Sequence, residues 1–369
     1  MKKYNKLVLL GAYGYTAQII ASSLSEAKIP FSVAGRNLGK LNELKAMYPS
    51  VVSSCYVDSE SIDDISKLLT EFNIVINCIG PFNVMGPFIL EQCVEKGICY
   101  IDICGEQNYV RNSFETFHEK AVKTGASIFH SIAFESALVD LLAKIHLPGN
   151  SKWKEISSVY YFEKSRPSPG TRLSMQTTSV FPVYKIENYK LHESGISSFS
   201  KMVEFPDRPE LNAVLFAPYP EIIFFSKQFL PKYSCSYILT NQSMAKYAVM
   251  SNKENQKLEQ ILDLSKKRIK KGPDKSEREN QYFEIILFAE NSEGRKYCFS
   301  LTGKDMYGLT ASIVTLYVEK IMNSVSLPSG VLCPSDIGDN DEVFQKILDQ
   351  NKIELNTNCS FSFLKQDLG

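Results

Sequence analysis

The sequence lacks the features that mark membrane, secreted and nucleic-acid-binding proteins. Basic and acidic residues number 41 each in 369 residues, so the chain carries no overall field that would attract nucleic acid. No apolar run reaches the roughly 18 residues of a transmembrane helix. The N-terminal segment 1–5, which carries two lysines, precedes an apolar run that is too short for the core of a signal peptide. These absences predict a cytoplasmic protein with no transmembrane segment and no nucleic acid partner.

Metal ligands are also scarce. The four histidines are scattered and form no H-x-x-x-H or Cys/His cluster, so we expect no metal site. The nine cysteines are odd in number, contain no C-x-x-C pair and lie mostly in apolar runs. We therefore expect reduced thiols in the core rather than disulfides or metal ligands.

What is present is the composition of a globular protein, with 44% hydrophobic and 22% charged residues. At about 150 residues per domain, the length predicts two domains. The first third alternates short apolar runs with longer amphipathic stretches, which is typical of β-α units around a parallel sheet. The predicted strands cover residues 6–10, 31–34, 53–57, 74–78, 98–101 and 127–130, and the predicted helices cover residues 14–27, 37–48, 61–69, 86–96 and 106–124.

The pattern changes near Trp153, where a second domain is expected to begin. A strand is predicted over residues 156–162 and a helix from Thr171. Two later strands, over residues 282–289 and 295–301, flank a turn with a glycine and predict a β-hairpin. The second domain should therefore contain an antiparallel sheet. A further helix is predicted over residues 308–322.

A glycine-containing loop follows the first predicted strand directly. Residues 11–17 read Gly-Ala-Tyr-Gly-Tyr-Thr-Ala, at the junction between a strand and a helix. Gly11 permits the tight turn, Gly14 lets the backbone approach a pyrophosphate, and Ala17 lets the helix lie close to the strand. This context predicts a Rossmann-type doubly wound domain, although a tight β-α turn without a ligand is the alternative. The residues assigned here to the cofactor site are Gly11, Tyr13, Gly14, Tyr15 and Thr16.

The end of the second strand indicates which dinucleotide binds. A carboxylate there would bind the adenosine ribose, whereas a basic residue accommodates a 2′-phosphate. The sequence has Arg36 at this place, followed by Lys40, and no carboxylate. This favours NADP(H) over NAD(H), unless Arg36 simply points into solvent. Asp58, after the third strand, is either an adenine-edge residue or a solvated loop acid.

The fourth strand runs into Cys78, Gly80, Pro81 and Phe82, where the nicotinamide ribose should pass the carboxyl edge of the sheet. We include these four residues in the predicted cofactor site. The alternative is a proline-stiffened turn with Phe82 in the core.

Together these segments resemble the saccharopine dehydrogenase-like oxidoreductase family, including its trans-acting enoyl reductase branch. The match continues in order along most of the chain, but residues 180–260 resemble nothing in that family. The sequence also departs from the family at Ala17, where glycine is usual, and at residues 134–140, which lack the proline of the Asp-Ser-x-Pro-x-Asp run. The matching segments are Gly11-Ala12-Tyr13-Gly14-Tyr15-Thr16, Ala34-Gly35-Arg36 with Lys40-Leu41, Asn77-Cys78-Ile79-Gly80-Pro81-Phe82, Tyr100-Ile101-Asp102 with Gly105-Glu106, Pro169-Gly170-Thr171, Gly272-Pro273 with Ser276-Glu277-Arg278, and Asp305-Met306-Tyr307-Gly308-Leu309-Thr310-Ala311 with Gly330-Val331.

The resemblance implies an N-terminal Rossmann domain, a mixed α/β second domain and a C-terminal helix that returns to the first domain. With it we expect three regions: residues 1–146 for the dinucleotide, 147–304 for the substrate, and 305–369 for the returning helix and tail. It also implies NAD(P)H-dependent reduction.

Hydride reduction needs a group that protonates or stabilises the acceptor. The candidates at the carboxyl edge of the predicted sheet are Asp102, Glu106 and His130. Each has a structural alternative: Asp102 as a turn cap, Glu106 as a favourable helix start, and His130 as a hydrogen-bonded core residue.

Three further features leave alternatives open. Tyr160 and Lys164 have the Y-x-x-x-K spacing of short-chain dehydrogenases, but that pair needs a helix and this segment is predicted to be a strand. The basic run at residues 266–271 either ends a solvated helix or contacts phosphate on a coenzyme-A-like substrate or anionic lipid. Residues 211–230 are apolar, and we favour core over a lipid-facing surface.

The sequence thus predicts an NADPH-dependent oxidoreductase acting on an unsaturated (enoyl) or imine-type small molecule, with acyl and lipid substrates included. The alternative is a non-catalytic dinucleotide-binding scaffold or membrane-associated regulator. Peripheral membrane contact and homodimer formation are left open.

Overall fold

Strands and helices alternate strictly through residue 146. A computed structural model describes residues 4–195, 200–205, 207–244 and 271–367. The first twelve elements are β1 (Leu7–Leu10), α1 (Tyr15–Glu26), β2 (Phe31–Gly35), α2 (Leu38–Met47), β3 (Val51–Tyr56), α3 (Ile62–Leu68), β4 (Ile74–Asn77), α4 (Phe82–Glu95), β5 (Cys99–Asp102), α5 (Gln107–Thr124), β6 (Ser127–Phe129) and α6 (Phe134–His146).

The elements after residue 146 build a second sheet and then return to the first. They are β7 (Trp153–Glu163), α7 (Pro169–Thr178), β8 (Val183–Glu187), β9 (Lys190–Ser194), β10 (Ser200–Glu204), β11 (Ala213–Phe216), α8 (Glu221–Gln228), β12 (Tyr233–Ser234), β13 (Ser236–Thr240), α9 (Lys275–Glu279), β14 (Tyr282–Asn291), β15 (Lys296–Lys304), α10 (Met306–Asn323), β16 (Gly330–Leu332), a 3₁₀ turn (Pro334–Ile337), α11 (Asn340–Asn351), β17 (Glu354–Asn356) and β18 (Ser362–Asp367).

The first sheet is parallel, with the strand order β16-β6-β5-β4-β1-β2-β3. The chain moves outward from β1 to β2 and β3 and then crosses back to β4, so the order reverses between β1 and β4. Ligands of doubly wound sheets bind outside the carboxyl ends of the strands at such a reversal. The predicted Rossmann sheet is confirmed. Its reversal point lies between the loop after β1 (residues 11–14, the Gly11 loop) and the loop after β4 (residues 78–81, the Gly80 loop).

The second sheet is mixed, with the path β17-β15-β14-β7-β13-β11-β10-β18 and with β12, β8 and β9 attached beside β7. The predicted hairpin is confirmed, since β14 and β15 pair antiparallel from Tyr282–Lys304 to Glu290–Lys296. The central β7 pairs antiparallel with β14 and parallel with β13. An antiparallel sheet with some parallel pairing is therefore the frame of the second part.

The two sheets share one hydrophobic core across their junction. Leu138 and Leu142 of α6 belong to the same buried cluster as Ile285 of β14 and Val314 of α10. The helix α10 also packs against α1. The strand β16 joins the parallel sheet, whereas β17 and β18 join the second sheet. The boundaries at 146 and 304 stay predictions.

One cysteine pair contradicts the expectation of reduced thiols. Cys298 on β15 and Cys359 form a disulfide, with their Cα atoms 5.4 Å apart. The antiparallel pairing of Ser300 with Asn356 extends the register towards these two residues, which are 61 positions apart in the chain. Spacing alone could not reveal that pairing. The other seven cysteines are not disulfide-bonded, as expected of reduced thiols.

The apolar segment 211–230 lies mainly in the core, with Ile222, Ile223, Phe224 and Phe225 at 0% exposure. This confirms the favoured interpretation. Residues 266–270 of the basic run lie outside the described residues. Among the helices of the described ranges, none combines the length and hydropathy needed to cross a membrane.

Candidate functional site

The loop after β1 is shaped by two glycines. Gly11 has a φ of 71°, and a Cβ there would lie 2.9 Å from the Ile79 side chain. Gly14 donates its N–H to the Gly11 carbonyl at 2.8 Å and is the N-cap residue of α1, with no side chain capping that helix. The backbone N–H groups of the first turn of α1 are therefore not capped by a side chain. They lie at the reversal point of the sheet, where an anion would bind.

The end of β2 is built around Tyr13. A Cβ on Gly35 would lie 2.7 Å from the Tyr13 ring, and the Arg36 N–H donates to the Tyr13 hydroxyl at 3.2 Å. The Lys40 ammonium lies 5.4 Å from the centroid of the same ring. The Arg36 side chain is 59% exposed and makes a 3.7 Å ion pair with Glu60, which is 69% exposed. One cation, Lys40, thus lies over the Tyr13 ring, and the exposed side chain of Arg36 starts beside it; both can rearrange towards a phosphate at little cost.

Asp58 lies at the neighbouring strand end. Its carboxylate accepts the Glu60 N–H at 3.1 Å, and its own N–H donates to Asp64 at 3.0 Å. The carboxylate therefore shapes the turn after β3. Its role at the adenine edge stays a prediction.

The loop after β4 contains a cis peptide between Gly80 and Pro81. The Cys78 N–H donates to the Leu10 carbonyl at 3.1 Å, which ties this loop to the end of β1. The Phe82 side chain is buried, 5.9 Å from the ring of Tyr109, so it belongs to the core. Helix α4 begins at Phe82 rather than at the predicted Gly86, because a carboxylate caps the earlier turn.

That carboxylate is Glu106. It accepts N–H groups from Phe82 at 2.8 Å and Asn83 at 2.7 Å, and the hydroxyl of Ser174 at 2.7 Å. The side chain is buried, which raises its pKa, although the three donors act in the opposite direction. Glu106 therefore joins the loop after β4, the start of α5 and the second-domain helix α7.

Asp102 and His130 form a sealed network below this edge. The Asp102 carboxylate lies 2.7 Å from His130 Nδ1, and His130 Nε2 lies 2.6 Å from the hydroxyl of Ser113. Asp102 also accepts the Ser131 N–H at 2.8 Å. All of these side chains are buried, and both ring nitrogens have partners. Their burial favours a positioning role over direct proton donation, and the catalytic assignments of Asp102, Glu106 and His130 stay predictions.

Sequence reasoning missed an acidic pair at the same edge. Glu135, in the first turn of α6, is half-buried, with Oε1 3.4 Å from the place of a Cβ on Gly105. Burial raises the pKa of Glu135 to about 7, and the charge of Glu221 adds to the shift. Glu135 is thus a carboxyl group that can hold a proton at neutral pH.

Glu221 is the fully buried member of that pair. Its carboxylate accepts hydroxyls from Ser158 at 2.6 Å, Tyr160 at 2.8 Å and Ser136 at 3.2 Å. Burial raises its pKa as well. Glu221 lies in the segment that resembled nothing, and its partners come from two distant stretches, Ser136 on α6 and the pair Ser158 and Tyr160 on β7. The one sequence signal was a lone acid followed by four apolar residues. Tyr160 itself lies on a strand, as predicted, so the Y-x-x-x-K helix does not form.

Comparison with known proteins agrees with this geometry. Residues 7–129 match the family model described as the saccharopine dehydrogenase NADP binding domain. The chain is 29% identical over 153 residues to a saccharopine dehydrogenase-like oxidoreductase of Rattus norvegicus, covering 37% of this chain and 36% of that protein. It is 28% identical over 149 residues to a trans-acting enoyl reductase of Mycobacterium leprae, covering 38% and 35%.

A solved structure of apo saccharopine dehydrogenase (L-Glu forming) from Saccharomyces cerevisiae shares the fold over the whole length. The TM-score is 0.61 with 14% identity, covering 98% of this chain and 100% of the other. The sequence matches span little more than a third of the curated relatives. The expected resemblance is confirmed for the parallel-sheet domain, and the description of the matched model supports the expected preference for NADP(H).

Proposed function

We propose that the protein is an NADPH-dependent oxidoreductase that reduces a polarised double bond, of the enoyl or imine type, in an anionic small molecule. The observation that carries the proposal is the meeting of the Gly11 loop and the Gly80 loop at the strand-order reversal of an NADP-binding domain. An acyl or lipid chain is compatible with this substrate class.

The residues present fit the dinucleotide. Gly11 and Gly14 keep side chains away from the uncapped start of α1, which would hold the pyrophosphate. Arg36 and Lys40, which lie next to Tyr13 at the end of β2 and the start of α2, would hold the 2′-phosphate. The backbone of Gly80 and Pro81 would lie along the nicotinamide ribose. When bound, NADPH supplies the hydride.

We assign the role of proton donor to Glu135. A donor works best when its pKa lies near the working pH, and Glu135 meets this condition at about 7. Burial is the main cause of this raised pKa, and the charge of the neighbouring Glu221, whose carboxylate accepts three hydroxyl groups, acts in the same direction. In enoyl reduction the Glu135 carboxyl would protonate the carbon that gains charge, whereas imine reduction would need it to protonate nitrogen before hydride arrives.

We assign the binding of the substrate's anionic group to Arg172. Its Nη2 atom is buried and has no hydrogen-bond acceptor within the described ranges. Arg172 lies on α7, the helix that Ser174 fastens to Glu106 at the carboxyl edge. A substrate carboxylate or phosphate would satisfy the guanidinium group.

The experiment has two stages. Purified protein is first titrated with NADPH and NADH by calorimetry, and NADPH should bind more tightly. NADPH oxidation is then followed with panels of enoyl thioesters and cyclic or linear imines, and product analysis distinguishes the two substrate types. Failure to bind either dinucleotide would overturn the proposal. Binding without turnover on any panel would instead favour the non-catalytic scaffold. Cytoplasmic location, membrane contact and homodimer formation stay predictions.

A further inference from the structure

Tyr15, the first residue of α1, contacts a segment 258 positions away in the chain. Its hydroxyl donates a hydrogen bond to the Pro273 carbonyl at 2.5 Å. A Cβ on Gly272 would lie 2.4 Å from the Tyr15 ring, so the ring and the glycine backbone are in direct contact. The second part of the chain thus reaches the helix turn that follows the Gly11 loop.

A second tyrosine extends this contact. The rings of Tyr15 and Tyr307 meet edge to face, with centroids 5.0 Å apart. The Tyr307 hydroxyl accepts the Ser168 N–H at 2.7 Å and lies 3.1 Å from the Thr171 hydroxyl, at the start of α7. The two tyrosines therefore connect α1 with the beginnings of α7 and α10.

The segment that touches Tyr15 is anchored at both ends. Arg166 donates to the Lys271 carbonyl at 3.1 Å and pairs with Glu277 of α9. Further along, Arg278 pairs with Asp305 at 3.2 Å, and Asp305 caps α10. Residues 272–273 are therefore fastened to the rest of the second part of the chain, and Tyr15 supplies their contact with α1. Through this contact the second part of the chain packs against the start of α1, next to the Gly11 loop.

We infer that Tyr15 is a positioning residue that docks residues 272–273 beside the first turn of α1, so that the second part of the chain forms one wall of the pyrophosphate site. This inference rests on the proposed function. Burial raises the pKa of Tyr15 to about 12, so the hydroxyl stays protonated and donates throughout the ordinary pH range. Binding of the dinucleotide and docking of this wall are then linked, and each favours the other.

The test compares the wild type with Tyr15→Phe, which removes only the donor hydroxyl. Loss of one hydrogen bond should raise the Kd for NADPH about fivefold to tenfold, because the wall is less well held. Adenosine 2′,5′-bisphosphate, which lacks the pyrophosphate bridge, should bind both proteins equally. The matched control is Tyr189→Phe, since Tyr189 is exposed in the turn between β8 and β9. It should leave both affinities unchanged.

Proteolysis supplies the readout of docking. NADPH should slow tryptic cleavage after the exposed Lys271 in the wild type, and this protection should weaken in Tyr15→Phe. Gly272→Ala, which inserts a methyl group against the ring, should reproduce both effects.

The outcomes distinguish the positioning role of Tyr15 from the proposed function. If the wild type binds no dinucleotide, the proposed function fails. If Tyr15→Phe binds NADPH like the wild type, the inference fails while the proposed function stands. A higher Kd with unchanged protection of Lys271 would show a direct cofactor contact and would also overturn the positioning role.

Discussion

The carboxylate of Glu106 accepts the hydroxyl of Ser174 at 2.7 Å, and this hydrogen bond joins the parallel-sheet domain to helix α7 of the second part. The same carboxylate caps the first turn of α4 through Phe82 and Asn83. A single side chain thus fixes the loop after β4 relative to the helix that would cover the substrate.

Glu106→Gln should therefore destabilise the fold. A glutamine would have to turn its NH₂ group towards donors that now share two carboxylate oxygens, leaving at least one buried donor unpaired. We expect the free energy of unfolding in urea to fall by about 1–3 kcal/mol. Glu95→Gln is the matched control, because Glu95 makes an exposed ion pair with Lys120 and an exposed hydrogen bond with Gln92, and should cost below about 1 kcal/mol. Equal losses for both variants would contradict the capping role.

The parallel-sheet domain could be predicted from sequence because its signals are local. Strand and helix periodicities, and Gly11 at a position that requires a positive φ, are read within a few residues. The order of the second sheet could not be read in this way. Its central strand β7 pairs with β14, which begins about 120 positions later, and local patterns carry no information on such a pairing.

The same limit applies to the site. Arg36 was predictable because a strand end defines its place relative to a dinucleotide. Glu221 was not predictable, because its environment is created by Ser136 of α6 and by Ser158 and Tyr160 of β7, which are distant from it in the sequence. The position of Ser174 next to Glu106 likewise depends on how the two sheets pack.

Arg36→Ala should change the choice of cofactor. Removing a charge-assisted contact to the 2′-phosphate should raise the Kd for NADPH about tenfold to a hundredfold, and the Kd for NADH far less. Calorimetric titration with both dinucleotides checks this. Arg295→Ala, an exposed arginine in the hairpin turn between β14 and β15, is the control. Equal losses for NADPH and NADH would refute the assignment of Arg36.

Arg172→Leu should weaken substrate binding without affecting the cofactor. The unsatisfied Nη2 has no acceptor in the described part of the chain, so its loss costs the protein no known hydrogen bond. Once a substrate is identified, KM should rise about tenfold or more with NADPH affinity unchanged. An unchanged KM would remove Arg172 from the substrate site.

Cys298→Ser should destabilise the second sheet. The disulfide joins two residues that are 61 positions apart. Without it the unfolded chain gains conformational entropy, which should lower the free energy of unfolding by about 2–4 kcal/mol. Urea unfolding under non-reducing conditions measures this. Cys359→Ser should give the same loss, and the double variant should be no less stable than either single variant. A wild type that is insensitive to reductant would contradict the prediction.

Glu135→Gln should abolish proton donation. Glutamine keeps the size of the side chain but carries no transferable proton, so kcat should fall about a hundredfold or more while the Kd for NADPH stays the same. In the wild type, kcat should fall as pH rises through about 7, where Glu135 loses its proton. Glu193→Gln, at an exposed position on β9, should retain the wild-type pH profile.

The pH dependence of stability gives an independent check on Glu135. Its carboxyl binds a proton more tightly in the folded protein, at a pKa of about 7, than in the unfolded chain, at 4.5. The folded state therefore holds more protons between these values, and raising the pH through this window destabilises the wild type. Glu135→Gln should show a smaller fall in unfolding free energy over the same window. If both proteins lose stability equally between pH 4.5 and 7, the carboxyl of Glu135 is not perturbed and cannot act as the neutral-pH donor.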